Sequence, residues 1–256
     1  MWHARFGTIR WRLVAQIAAM IAALIAMAGD SAAVPSPRIV LWAWERPEDL
    51  RFAGPGFDIA VLAGSIVLSG ETVAVNGRRY PALVLPAQPI AGVVHVEIDR
   101  RQPLVWGPSQ REATIARILA LADNRRFAEI QVDFEVRASE RQMLLEVLRG
   151  VRAGLAAGRK LSMTALASWC DTERWLASAP VDEIVPMLFR MGPAGENLKR
   201  RLGDGGDFTD RNCRTSIGIA TDTPPYGMPS GRRVYIFSPR PWSREALDEI
   251  LKDLGK

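Results

Sequence analysis

Hydrophobic and polar positions along the chain fall into short strand-like runs separated by amphipathic stretches. Residues 38–45 (RIVLWAWE) form a β-rich apolar run ended by Arg46-Pro47, and residues 58–68 form a second. In residues 93–99 (VVHVEID) and 129–136 (EIQVDFEV), apolar and polar residues alternate with the period of a strand. Residues 161–169, 183–191, 216–222 and 233–238 complete a set of eight predicted strands. Residues 71–85 read as a small hairpin after strand two, with Asn76-Gly77 as its turn. Helices are expected from Ser109, with Glu112 completing a capping box, and over residues 140–157, where Met143, Leu144, Val147, Leu148 and Val151 make one apolar stripe. Shorter helical pieces are expected near residues 172–176 and 197–202. A last helix over residues 244–254 would be capped by Ser243.

Strands that alternate with helices predict an α/β fold, and eight of them predict a compact (β/α)8 TIM-like barrel with a small hairpin insertion after strand two. An open doubly wound sheet is the alternative. The first residues stand outside this pattern. Arg5, Arg10 and Arg12 precede an apolar run over residues 13–28, and Ser31 and Ala33 are small residues placed as at a signal-peptidase site. Residues 1–33 therefore read as a signal peptide or an N-terminal anchor. Residues 34–256 read as a single domain that is exported to the periplasm or beyond, or held at the inner membrane by that anchor. Export would give Cys170 and Cys213 an oxidising environment. Spacing alone leaves open whether they form a disulfide or stay as two buried thiols.

The 256 residues are 48% hydrophobic and 24% charged, which is ordinary for a globular protein. The net charge of +5 comes without a Lys/Arg run, so no nucleic-acid partner is inferred, and no membrane span follows the first segment. No G-x-G-x-x-G follows a strand, and no cofactor is implied. His3 and His95 are the two histidines, which excludes zinc sites built on a pair of histidines in the domain.

On strand four, Ile130, Val132, Phe134 and Val136 share one face, and Gln131, Asp133 and Glu135 share the other. On strand three, His95, Glu97 and Asp99 lie opposite Val94, Val96 and Ile98. If the apolar faces meet the helices, the polar ones point into the barrel, and their outermost members reach the carboxyl-terminal rim where such barrels carry their sites. Asp99, Asp133 and Glu135 would then floor a cleft. Glu135, last on its strand, is the best-placed acid, with Asp133 one inward position below it. Trp42, Trp44 and Glu45 on and after strand one, Trp106 after strand three, Trp169 at the end of strand five, Arg190 after strand six and Asp222 after strand seven are rim candidates. Indole faces suit sugar rings; Arg190 and Asp222 could meet substrate or pair within the site. A purely structural network, with Arg100 and Arg190 neutralising the carboxylates, is the competing expectation. His95, Glu97, Asp99 and Asp133 could also hold a hard divalent cation.

Residues 129–135 resemble the strand-four signature D-x-x-D-x-D-x-E of chitinase-like, family-eighteen glycoside hydrolases. Ala128, Gln131, Asp133 and Glu135 occupy its named positions, and the last two match. The resemblance implies that Glu135 is the general acid and Asp133 its partner. Residues 186–190 (PMLFR) are similar to the family's M-x-Y-D on strand six, which implies a substrate contact at Met187; Phe189 and Arg190 replace Tyr and Asp. The runs LWAWERPEDLRF, QVDFEV, LSMTALASWC and VDEIVPMLFRMG resemble an uncharacterised family of bacterial exported proteins, a distant branch of glycoside-hydrolase-like barrels. The expected function is that of a secreted glycoside hydrolase acting on a polysaccharide or amino-sugar glycan. A non-catalytic carbohydrate-binding barrel is the alternative.

Overall fold

A computed structural model of the chain describes residues 39–78, 82–123, 127–192, 195–223, 227–229 and 231–255. The segment read as a signal peptide or anchor, residues 1–33, lies outside them. Among the described residues, eight parallel strands close into a ring: β1 (Ile39–Ala43), β2 (Asp58–Ser69), β3 (Ala91–Ile98), β4 (Glu129–Phe134), β5 (Lys160–Leu166), β6 (Glu183–Met187), β7 (Ser216–Ala220) and β8 (Arg233–Phe237). Each strand pairs with its neighbour in sequence, and β1 pairs with both β2 and β8, which closes the barrel and excludes an open sheet.

Among the described residues, helices follow five of the strands: α1 (Pro108–Asp123) after β3, α2 (Arg141–Gly154) after β4, the single turn α3 (Trp169–Thr172) after β5, α4 (Gly195–Gly203) after β6 and α5 (Arg244–Asp253) after β8. Ser243 caps α5, its hydroxyl accepting from the Ala246 amide. Helix α1 begins one residue before the expected Ser109, at Pro108, whose missing N–H costs nothing in a first turn.

Two apolar cores follow from the alternation. Ile130, Val132, Phe134, Val94 and Val96 pack outward with Leu144, Val147, Leu148 and Val151 of α2. Val40, Trp42, Ala60, Val93, Val185 and Tyr235 fill the lumen. The indole of Trp42 fits there because Gly218 faces it, where a Cβ would come within 3.2 Å of the ring. Its Nε1 donates to Gln131 Oε1 at 2.7 Å, and Gln131 Nε2 donates to the Ser162 hydroxyl, so this buried polar layer is hydrogen-bonded. Strand β2 changes phase midway. A bulge at Ala63 lets Ile59 and Val61 below it, and Ile66 and Leu68 above it, all face the helices despite their opposite parity.

The hairpin differs from the expected one. Thr72–Gly77 folds back antiparallel on β2 itself through the two-residue turn Gly70-Glu71, with Gly70 at φ +55°. Asn76 and Gly77 are not the turn; they pair with Ser65 and Gly64. The next residue explains this: Arg78 donates to the carbonyls of Trp44 and Arg46 and ties the strand end to the segment that follows β1. Leu83–Val84 pairs instead with Glu48–Asp49.

At the amino-terminal end of the barrel, Arg233 faces three carboxylates, Asp58 and Glu183 at 3.3 Å and Glu129 at 3.8 Å. Tyr235 donates to Glu183 at 2.8 Å. Burial pushes the carboxyls of Glu129 and Asp58 above their ordinary values, outweighing the guanidinium. A disulfide joins Cys170 in α3 to Cys213.

Candidate functional site

The carboxyl-terminal mouth is built by residues just above the lumen core. Because β3 and β4 pair with His95 beside Asp133, the alternation that buries Val93 and Gln131 brings these two polar side chains together one step higher. His95 Nδ1 lies 2.8 Å from Asp133 Oδ2, and Thr164 of β5 donates to Asp133 Oδ1 at 2.6 Å. Glu97 is 3.8 Å from His95 Nε2. Burial disfavours a charged imidazole here, but the hydrogen bond and charge of Asp133, with the charge of Glu97, outweigh it and raise the His95 pKa above its ordinary value.

Aromatic side chains surround this pair. Trp44, half-buried, presents its indole edge-on to His95 at 5.7 Å and to Phe237 at 5.9 Å. Phe189 stacks on Phe237 at 5.8 Å, and the Arg190 guanidinium lies over the same ring at 5.9 Å. Arg190 holds a left-handed backbone, φ +55°, unusual outside glycine. Such conformations need support from their surroundings and are found most often at functional sites.

Glu135 follows the last residue of β4 and is exposed. It opens onto a cavity of about 430 Å³ whose wall includes Leu166, Ser168, Met187, Phe189 and Arg190. A second cavity, about 710 Å³, lies beyond β3 and β4 and is lined by Arg100, Arg137, Glu140 and Trp106 among others.

The structure therefore brings together Glu135, Met187 and Arg190 on one cavity, and Asp133 and Trp44 on the adjoining mouth. Other expected residues lie elsewhere. Trp169 is buried in the outer core, packed edge-on against Trp175 at 5.2 Å, and offers no face to a sugar. The four-residue turn that follows β5 carries it inward, where the apolar run alone suggested a rim position. Asp99 lies past the end of β3 and does not floor the cleft. It accepts from Ser69 and from Arg101, and Arg101 holds its carboxyl well below the usual range. Arg100 pairs with Glu140 rather than with the mouth carboxylates. Glu45 is half-buried just beyond β1, and Asp222 is exposed just beyond β7. Among the described residues, no three His, Cys, Asp or Glu side chains gather as a metal site requires. Thr164 and Phe237 belong to the mouth without having been singled out. The inward series Ser162, Thr164 on β5 carries the same polar alternation that marked β4.

No family model matches the chain, and no curated protein matches it. Among solved structures it is similar to one reported as "putative Chitinase A from Streptomyces coelicolor", with TM-score 0.55 and 10% sequence identity, covering 86% of this chain and 98% of that one. Among the described residues, no helix is long and apolar enough to cross a membrane. At that identity the likeness speaks for architecture alone, and the chain folds as a (β/α)8 barrel.

Proposed function

We propose that this barrel is a glycoside hydrolase acting on a polysaccharide or amino-sugar glycan, with Glu135 as the general acid that protonates the leaving oxygen. The observation that carries the reading is the placement of Glu135: a carboxyl at the end of β4, open to solvent, on the wall of a 430 Å³ cavity at the carboxyl-terminal face. Met187 and Arg190 share that wall, and Trp44 stands at the mouth as a ring platform. The chitinase-like fold supports the same substrate class. The Arg-flanked apolar segment at the start of the chain and the Cys170–Cys213 bridge support a working place outside the cytoplasm.

A second reading, a carbohydrate-binding barrel without catalysis, is favoured by one observation. Both oxygens of Asp133 are engaged by His95 and Thr164 rather than held open for substrate. Release of reducing ends from a glycan panel separates the two. Glu135→Gln should lower the rate by about 100- to 10,000-fold, the range of a lost proton donor. Retention of glycan that survives Glu135→Gln but is lost in Trp44→Ala, with no reducing ends released by either protein, would establish the binding module instead.

A further inference from the structure

Arg190 is the cation of the cavity that Glu135 opens onto, and the chain itself gives it no counter-charge. It holds a left-handed backbone, φ +55°, and its guanidinium lies over the Phe237 ring at 5.9 Å, with Phe189 stacked on that ring. An aromatic face steadies a guanidinium through its π-electrons and leaves the N–H edge free to donate. Among the described residues, no carboxylate pairs with Arg190. Two acids share its cavity. Asp171 is taken by Arg201 and by the Thr209 hydroxyl at 3.2 Å, and Glu135 is exposed and makes no ion pair with Arg190. Much of the remaining wall is apolar, with Leu166, Met187 and Leu198. A strained backbone persists where its surroundings over-determine it, and such residues gather at ligand clamps. An exposed guanidinium held this way, on a cavity and without a partner of its own, is set to receive an anion from outside the chain.

We infer that Arg190 is a specificity-determining residue that binds a sugar carboxylate, so that the glycan taken by this cleft is an acidic one; the inference rests on the hydrolase reading above in treating the cavity as a saccharide site. The planar guanidinium fork matches a carboxylate with two parallel hydrogen bonds. The cavity of about 430 Å³ is of the size that takes small ligands. The carboxylate meets Arg190, and the sugar ring lies along the apolar wall. A neutral sugar in the same place leaves the guanidinium with water alone and gains nothing from it. An acidic sugar exchanges that water for a charge-assisted pair. The carboxylate is the recognised chemistry whether it is carried on the sugar ring, as in a uronate, or on a lactyl ether arm, as in a muramate.

The test takes the full chain carrying Glu135→Gln, so that oligosaccharides are bound without turnover, and measures dissociation constants by calorimetry. One acidic probe alternates glucuronate with N-acetylglucosamine; the other is a peptide-free glycan strand alternating N-acetylmuramate with N-acetylglucosamine. Each is compared with its carboxyl-reduced counterpart. At least one acidic probe should bind about 10- to 100-fold more tightly than its reduced form, the range of one charge-assisted pair, and the probe that does so names the source of the carboxylate. Arg190→Met should abolish that preference. So should Arg190→Gly, which the left-handed backbone accepts without strain and which decides the matter if the Met variant does not fold. Arg117→Met, which removes the same charge from the exposed surface of α1, should leave the preference in place. The inference is overturned if neither acidic probe is preferred, if the Arg190 variants keep the preference, or if Arg117→Met lowers it as much. The hydrolase reading fails by a different result. If the wild type releases no reducing ends from any probe, or if Glu135→Gln releases them at the wild-type rate, Glu135 is not the acid, and the binding preference still reports on Arg190.

Discussion

Replacing Arg233 with Met removes the cation from a layer that holds three carboxylates. In the wild type its guanidinium stands 3.3 Å from Asp58 and Glu183 and 3.8 Å from Glu129, with each of the four side chains at least four-fifths buried. Breaking a buried ion pair by deleting one partner costs about 3–5 kcal/mol, because the partner is left charged and uncompensated. The guanidinium also covers the Tyr235 ring at 5.3 Å, a contact worth about 0.5–1 kcal/mol. The pH dependence carries the diagnosis. Burial already raises the folded-state pKa of Glu129 and Asp58, so the folded protein binds protons more tightly there than the unfolded chain. Stability from these groups is therefore lost as pH rises from the unfolded value, about 4, through the raised folded value. Arg233→Met widens that window. Urea unfolding at pH 5, 7 and 8 should show a deficit of about 3–5 kcal/mol at pH 7 and 8 and a smaller one at pH 5. Adding Glu129→Gln to Arg233→Met should restore part of it. A deficit that is flat with pH, or below about 1 kcal/mol throughout, would refute the account of the layer as a charge balance centred on Arg233.

Three further outcomes follow from other parts of the fold. The Cys170–Cys213 bridge closes a loop of 43 residues, so Cys170→Ser with Cys213→Ser should cost about 4 kcal/mol by chain entropy and lower Tm by about 10 °C, read by calorimetry. Trp42→Phe leaves Gln131 Oε1 without its 2.7 Å donor inside the lumen and should cost about 1–3 kcal/mol in chemical denaturation, with the mouth geometry unchanged. Ser243→Ala removes the cap of α5 and should cost about 1 kcal/mol by the same measurement.

Much of the barrel is legible in the sequence because its pleat writes itself into the residue pattern. On β4 every second residue is aliphatic or aromatic and meets the helices, and the intervening Gln131 and Asp133 point inward. The site is less legible wherever side-chain bonds formed across the ring decide the outcome. That Asp133 answers to His95 and Thr164 depends on the register of three strands, which no local spacing reveals. Trp169 and Asp99 show the opposite limit. They sit three residues and one residue past a strand, where alternation stops, and a helical turn or a nearby Arg101 decides where the side chain goes. The Asn76-Gly77 signal failed for a related reason. A turn preference of that kind is weak beside a long-range anchor such as Arg78, which holds the end of the strand against the segment that follows β1.

The extra residue at Ala63 has a consequence for the carboxyl-terminal rim. A pleated ribbon advances in steps of two, so without that residue the upper half of β2 would rotate by one position. Ile66 and Leu68 would swing off the helix layer, and one of them would face His95 where the small, polar Ser65 now stands as its cross-strand companion. A single-residue deletion at this point would thus grease the lip of the pore beside the imidazole and strip an aliphatic pair from the outer wall at the same time.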